Sequence, residues 1–255
     1  MKFENIKVMN FNNALRGMRN PLESYHLSDT YYGFAPDIPD HIYEERTNRQ
    51  DYVILSRDNH CAYDEPIVEF LSIGPNDMDL AKRLIKAGSE HRKFLRQIFV
   101  SVDITAPLYW WKEFDTYKVG TVANSTSTMH KIASKPITLD CFETDDYNER
   151  LELIDPIPID VRVDNFIDDL EQLRQKYLET KDKRYWKELI RWLPESWLQT
   201  RTITMSYENL YTIVRQRYYH KLNEWSGKDD ANKDNFIQFV KTLPYANDLI
   251  FLELD

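Results

Sequence analysis

The 255-residue sequence predicts a single α+β domain spanning 1–255, a mixed sheet flanked by helices. Three observations carry this expectation. Residues 98–104 alternate strictly: Ile98, Val100, Val102 and Ile104 share one face, and Phe99, Ser101 and Asp103 the other. That is the period-two pattern of a half-buried strand. Phe166, Leu170, Leu173 and Tyr177 recur at helical spacing, as do Leu210, Ile213, Val214, Tyr218 and Leu222. No internal repeat, low-complexity tract or strong linker divides the chain, which is long enough to bury a sizeable core.

The elements follow in order. Lys2 to Phe11 reads as a strand with Phe3, Ile6, Val8 and Met9 apolar. Ala14 to Pro21 places Arg16 and Arg19 around Gly17 before Asn20-Pro21, so it reads as a turn, either solvated or contacting an anion. Residues 24–50 show no clear period and are expected to form a surface excursion or part of a subunit interface. Asp51 to Ser56 reads as a short buried strand, and Pro66 to Ile73 fits strand or helix equally. Gly74 to Asp77 is a turn before a helix that Gly88 ends. His91, Arg92, Lys93 and Arg96 form a local basic cluster.

After the alternating strand, Thr105 is placed to cap an aromatic helix with Pro107 in its first turn, where a missing N–H costs nothing. Tyr109, Trp110, Trp111, Phe114 and Tyr117 leave that helix apolar almost all round, which predicts burial on several sides. Gly120 breaks it. A loop rich in hydroxyls and amides follows, with Thr121, Asn124, Ser125, Thr126, Ser127 and Thr128. Residues 140–160 read as an acidic, proline-containing loop. Asp164 can cap a helix to about Thr180, and Lys183 to Leu193 forms a second that Pro194 stops. Gln199 to Met205 reads as extended. Ser206 opens a helix expected to reach about Trp225, Lys233 to Leu243 forms a last one, and Asp248 to Asp255 fits a strand.

The formal charge of −9 argues against extended nucleic acid as a partner, because that needs a basic face. It leaves room for a mononucleotide in a local basic pocket. Cys61 and Cys141 supply no disulfide framework and point to a reducing compartment. The first 30 residues hold no apolar run of signal-peptide length, and no stretch approaches roughly 18 apolar residues. A soluble cytoplasmic protein with no membrane partner is expected. Six glycines are few, and neither GxGxxG nor GxxxxGK[ST] occurs.

Arg217 stands out on physical grounds. On a continuous helix it lies beside the apolar stripe with His220 and Glu224, and a guanidinium there must be paired. It serves either an internal salt bridge, with Glu224 or another acid, or a bidentate clamp on a phosphate or base carbonyl. The 121–128 hydroxyls have no base beside them, so a serine nucleophile is not expected. Lys118 is a cation placed to reach the same pocket. No histidine pair has metal-ligand spacing, and no metal is expected.

Two segments together resemble the flavin-dependent thymidylate synthases. Ala106-Pro107-Leu108-Tyr109 is similar to the start of a family segment of the form C-P-I-F, a glutamine, then R-H-R-x-x-S-x-N-x-x-S-x-R-Y. Glu113 falls on the glutamine, Thr116-Tyr117-Lys118 on R-H-R, and Thr121 on the first serine. Asn124 and Ser127 match the asparagine and second serine if one residue is inserted, and Thr128 or Met129 stands at the arginine. Upstream, Tyr63 to Val68 is similar to Y-D-x-P-I-V. Downstream, Leu193-Pro194, Thr200-Arg201, Leu210 and Arg217 follow the family's LP…TR…L…LR order.

The resemblance covers roughly residues 50–245. It implies a flavin-dependent thymidylate synthase-like fold, a homotetramer with shared active sites, and methylation of dUMP at C5. Methylenetetrahydrofolate, NADPH and reduced FAD would be the co-reactants. It implies Arg217 as the catalytic and nucleotide-clamping arginine. Glu113, Ser127 and Arg201 would be further substrate contacts, and Lys118, Thr121 and Asn124 cofactor contacts. Arg16, Arg19, His91 and Arg92 are further cationic candidates from neighbouring subunits. Of R-H-R, only Lys118 keeps a positive charge, and a lysine does not replace an arginine fork geometrically. A re-purposed nucleotide-binding protein that has lost flavin chemistry is the alternative.

Overall fold

A computed structural model describes residues 1–36, 53–58, 67–145, 157–226 and 234–254. The chain is α+β, with sheets flanked by helices. It gathers into two compact units. One comprises Met1–Lys2, Ile104–Thr116 and Asn124–Thr202, the other Phe3–Asp103, Tyr117–Ala123 and Ile203–Asp255. A four-stranded sheet has the order β1 (Lys2–Met9), β5 (Phe99–Pro107), β7 (Leu198–Ser206), β6 (Val122–Ser125). A three-stranded sheet has the order β2 (Tyr31–Pro36), β4 (Ile67–Ser72), β3 (Val53–Asp58). Both pairings of the smaller sheet are antiparallel, running from Tyr31↔Ser72 to Pro36↔Ile67 and from Val53↔Leu71 to Asp58↔Ile67.

In the second unit, Ile98, Val100 and Val102 are fully buried, as their alternation requires. Helix α1 (Phe11–Met18) buries Phe11, Ala14, Leu15 and Met18. This corrects the turn expected at Ala14–Pro21. The i, i+3, i+4, i+7 spacing of those four residues outweighs the roughly 1 kcal/mol that Gly17 costs a helix. Helix α2 (Pro75–Lys86) starts after Gly74 and ends before Gly88, whose φ of 109° only glycine adopts easily. Arg19 turns inward and pairs with Asp77 of α2 at 2.6 Å, so it is not part of an anion-contacting surface.

Helix α7 (Tyr207–Arg217) also departs from the expected length. It ends at Arg217 and does not reach Trp225. The chain turns at His220, whose N–H donates to Arg217 O, and Trp225 enters the core on the short helix α8 (Asn223–Ser226). Burial of a whole indole outweighs continuing the helix, so His220 and Glu224 do not share its face. Helix α9 (Phe236–Lys241) is capped by Asn235, and its expected start at Lys233 lies outside the described residues. The strand expected at Asp248–Asp255 is instead helix α10 (Ala246–Leu249) followed by turns. Leu249 and Ile250 are adjacent and both buried, which a strand with one solvated face cannot provide.

In the first unit, helix α3 (Leu108–Phe114) begins after Pro107, and Thr105 lies within β5. The expected cap is replaced by backbone. Leu108 N–H donates to Trp197 O and Tyr109 N–H to Glu195 O. Trp110, Trp111 and Phe114 are buried and pack on one another with centroids 4.9–5.5 Å apart. The hydroxyl-rich loop resolves into edge strand β6 and the turn of helix α4 (Thr128–Lys131). All of β6 is exposed, so no alternation marks it.

Helix α5 (Ile159–Thr180) starts at Pro158, one and a half turns before the expected Asp164 cap. Helix α6 (Lys183–Arg191) is capped by Asp182. Ile167, Leu170 and Leu189 of these two helices form a core with Ile132, Ile137 and Phe142. Cys61, His60, Tyr63 to Pro66 and residues 37–50 of the excursion expected at 24–50 lie outside the described residues. Among the described residues, no helix is long and apolar enough to cross a membrane.

Candidate functional site

Two side chains at the start of α7 fix the turn that leads to Tyr117. Ser206 and Asn209 form a capping box: Asn209 N–H donates to Ser206 Oγ at 3.2 Å, and Ser206 N–H to Asn209 Oδ1 at 3.0 Å. The Asn209 amide then donates to Val119 O at 2.6 Å. Gly120 follows with φ 77°, and a Cβ there would meet Asn209 Oδ1 at 3.2 Å. Both conformation and space select glycine. At the other end of α7, about 10 Å along the axis, Tyr117 is held by Gln216 and Arg217. The segment 117–120 is therefore anchored along the helix at both ends.

Arg217 is half-buried in this group. Its Nε donates to the Tyr117 hydroxyl at 2.8 Å, and that hydroxyl donates to Gln216 Oε1 at 3.0 Å. The guanidinium carbon lies 4.9 Å from the Trp225 ring centroid and 5.6 Å from that of Tyr117. Tyr117 and Trp225 meet edge to face at 6.3 Å, and Trp225 is backed by Phe236 at 5.3 Å. Each cation–π contact contributes about 0.5–2 kcal/mol, depending on desolvation. His220 packs at 6.2 Å from Trp225, and its Nδ1 accepts from Leu222 N–H, so it acts in the turn. Lys118 is exposed beside Tyr117, and the Thr121 hydroxyl donates to Tyr117 O at 2.8 Å.

Glu113, Asn124, Ser127 and Arg201 belong to the other unit. Arg201 is engaged within it: Nη1 meets Asp115 at 2.8 Å, Nε donates to Gln199 Oε1 at 2.9 Å, and the guanidinium carbon lies 4.2 Å from the Trp111 centroid. Gln199 in turn donates to Thr126 O and Thr128 Oγ1, tying β7 to the segment after β6. Ser127 Oγ accepts from His130 N–H and caps α4. Asn124 is exposed on β6, and Glu113 is half-buried on α3. Thr116 spends its hydroxyl on Glu113 O at 2.7 Å.

The cationic candidates of the second unit are largely committed. Arg19 is 4% exposed and paired with Asp77. Burial pushes the Asp77 carboxyl up, but hydrogen bonds from Ser28, Thr30 and Arg19 outweigh it and hold the pKa below the usual range. Arg92 donates from Nε to both Glu208 oxygens at 2.9 and 3.1 Å. Arg16 lies over Tyr25, and His91 is exposed.

Sequence reasoning marked Arg217 but missed Gln216 and Gln199, for which no local pattern exists. Asn209 was findable, because Ser206 and Asn209 stand three apart before an apolar run.

No protein-family model matches the sequence, and the curated proteins give no match. The likeness is structural. A flavin-dependent thymidylate synthase, ThyX, from Helicobacter pylori, complexed with FAD and dUMP, matches with TM-score 0.55 and 15% identity over 97% of this chain and 98% of that one. A second structure of ThyX from Helicobacter pylori, also with FAD and dUMP, matches with TM-score 0.54 and 15% identity over 99% and 100% of the two chains. At that identity the likeness shows the fold, which is the one the two sequence segments resemble.

Proposed function

We propose that this chain binds a pyrimidine deoxynucleotide through Arg217. The observation that carries the reading is a guanidinium oriented by Tyr117 and stacked near Trp225, in a chain folded like structures that hold dUMP. A planar, permanently charged fork suits a phosphate or a base carbonyl. Lys118 and Thr121 are proposed as neighbouring ligand contacts. Glu113, Asn124, Ser127 and Arg201 are proposed as further contacts from the resemblance. Arg201 enters that list least readily, since Asp115 already neutralises it. A homotetramer in the cytoplasm belongs to the same proposal.

The flavin is a separate question. The resemblance would have three cationic or imidazole groups at 116–118 hold FAD. Here Thr116 is bonded to Glu113 O, and the Tyr117 hydroxyl to Arg217 and Gln216. Only Lys118 presents a charged donor, without the fork of an arginine. These three residues do not fit that role. Binding without flavin chemistry is therefore the leading reading.

Methylation of dUMP at C5, with methylenetetrahydrofolate, NADPH and reduced FAD, is the second reading. It is favoured by the structural likeness spanning nearly the whole of both chains.

One experiment addresses both. Purified protein is mixed with FAD, freed of excess, and its absorbance recorded, and dUMP is titrated calorimetrically. Heat of dUMP binding with a blank spectrum supports the first reading. Retained flavin bands together with dUMP binding support the second. Arg217→Lys is expected to weaken dUMP binding by about 1–3 kcal/mol, the range for hydrogen bonds to a charged group. A folded variant with unchanged affinity removes Arg217 from the site.

A further inference from the structure

Position 117 is where the resemblance puts the histidine of R-H-R. In this chain it is a tyrosine, and its hydroxyl is turned to Arg217, 100 positions away. That hydroxyl donates to Gln216 and accepts from Arg217 Nε, so both partners define its orientation. A phenol held by two bonds and by edge contact with the buried Trp225 ring is a stiff abutment for one side of the guanidinium. The backbone on either side is fixed as well. Asn209 holds Val119 O, and Gly120 turns the chain next to it with φ 77°.

We propose that Tyr117 is a positioning residue for Arg217: its hydroxyl sets the plane of the guanidinium for an anionic or carbonyl group of the nucleotide. The inference rests on the nucleotide reading of Arg217. It deepens that reading by assigning the residue that replaces the family histidine a role toward the nucleotide. A ring at 117 without its hydroxyl would keep the edge contact with Trp225 while removing the acceptor of Arg217 Nε. The guanidinium loses that restraint, and binding carries more of the cost of fixing its plane.

The test is a thermodynamic cycle read by calorimetric titration of dUMP into the full chain. The proteins are wild type, Tyr117→Phe, Arg217→Lys and the double variant, each checked by circular dichroism and thermal melting. Tyr117→Phe is expected to weaken dUMP about tenfold, the loss of one hydrogen bond to a charged group. In the Arg217→Lys background the same change is expected to cost less than about twofold, because a lysine offers no Nε to orient. Non-additivity of this kind is what a merely structural tyrosine would not produce.

If Arg217→Lys weakens binding and Tyr117→Phe does not, the positioning role falls while the nucleotide reading stands. The positioning role also falls if Tyr117→Phe costs the same in both backgrounds. If wild type gives no dUMP heat, or Arg217→Lys leaves affinity unchanged, the reading beneath the inference falls and takes it down.

Discussion

At the scale of single residues, charges paired within the fold stand beside the one proposed to meet a ligand. Glu171 belongs to the first kind. Its carboxylate accepts from Arg174 Nε and Nη2 at 2.7 and 2.6 Å, and from Ile137 N–H at 2.8 Å. The Arg174 bonds come first in holding its pKa down to about 2, against the opposing effect of burial. A depressed carboxyl contributes stability that is fully present above its unfolded value near 4.5 and is lost as pH falls toward about 2. Glu171→Gln is therefore expected to cost about 2 kcal/mol at neutral pH and to flatten the loss of stability between pH 4.5 and 2. Urea denaturation across that window measures both, and parallel acid limbs for the two proteins would count against the assignment. This pair stands three apart in sequence on one helix, a spacing open to reading. The Arg217–Tyr117 bond spans 100 positions and carries no such mark.

At the scale of elements, legibility followed amphipathic period. Strand β5 alternates, and α5 and α6 carry helical stripes, so sequence finds all three, α6 to within a turn and the start of α5 less closely. Strand β6 is exposed throughout, its single large apolar residue Val122 included, so nothing distinguishes it from a loop. The break after α7 has neither proline nor glycine to announce it, because its cause is tertiary, the burial of Trp225 beside Phe236. The turn that feeds the site is marked by Gly120, and it yields a prediction. Gly120→Ala forces an L-residue into the left-handed region at φ 77° and presses its Cβ within 3.2 Å of Asn209 Oδ1. The backbone term alone costs about 1–2 kcal/mol. Because Asn209 also completes the capping box of α7, the loss is expected in thermal stability and in dUMP affinity together. Gly88→Ala is the control: φ is 109° but open space surrounds the added methyl. Loss of affinity in both variants would show that Gly120 matters only through stability.

At the scale of the whole molecule, the sequence conveyed the fold through the order of landmarks, not through any intact motif. Leu193-Pro194, Thr200-Arg201, Leu210 and Arg217 keep their order because they sit at the entry to β7, within β7, and on the first and last turns of α7. Those are positions where packing constrains the chain. Thr116, Tyr117 and Lys118 stand where the resembled family has R-H-R, and there the likeness of sequence fails. The same logic bears on assembly. The chain exposes Val119, Val122, Leu22, Tyr219 and Trp192, each more than half accessible, while carrying a net charge of −9 that opposes self-association at low salt. If the proposed homotetramer forms, these apolar side chains are the ones with area to lose, and screening the charge should favour it. Light scattering at roughly physiological ionic strength is expected to give about four chain masses, with smaller species growing in as salt is withdrawn. A monomer at every salt concentration would mean that Arg217 and Tyr117 must recognise the nucleotide within one chain. A site shared between copies would then be ruled out.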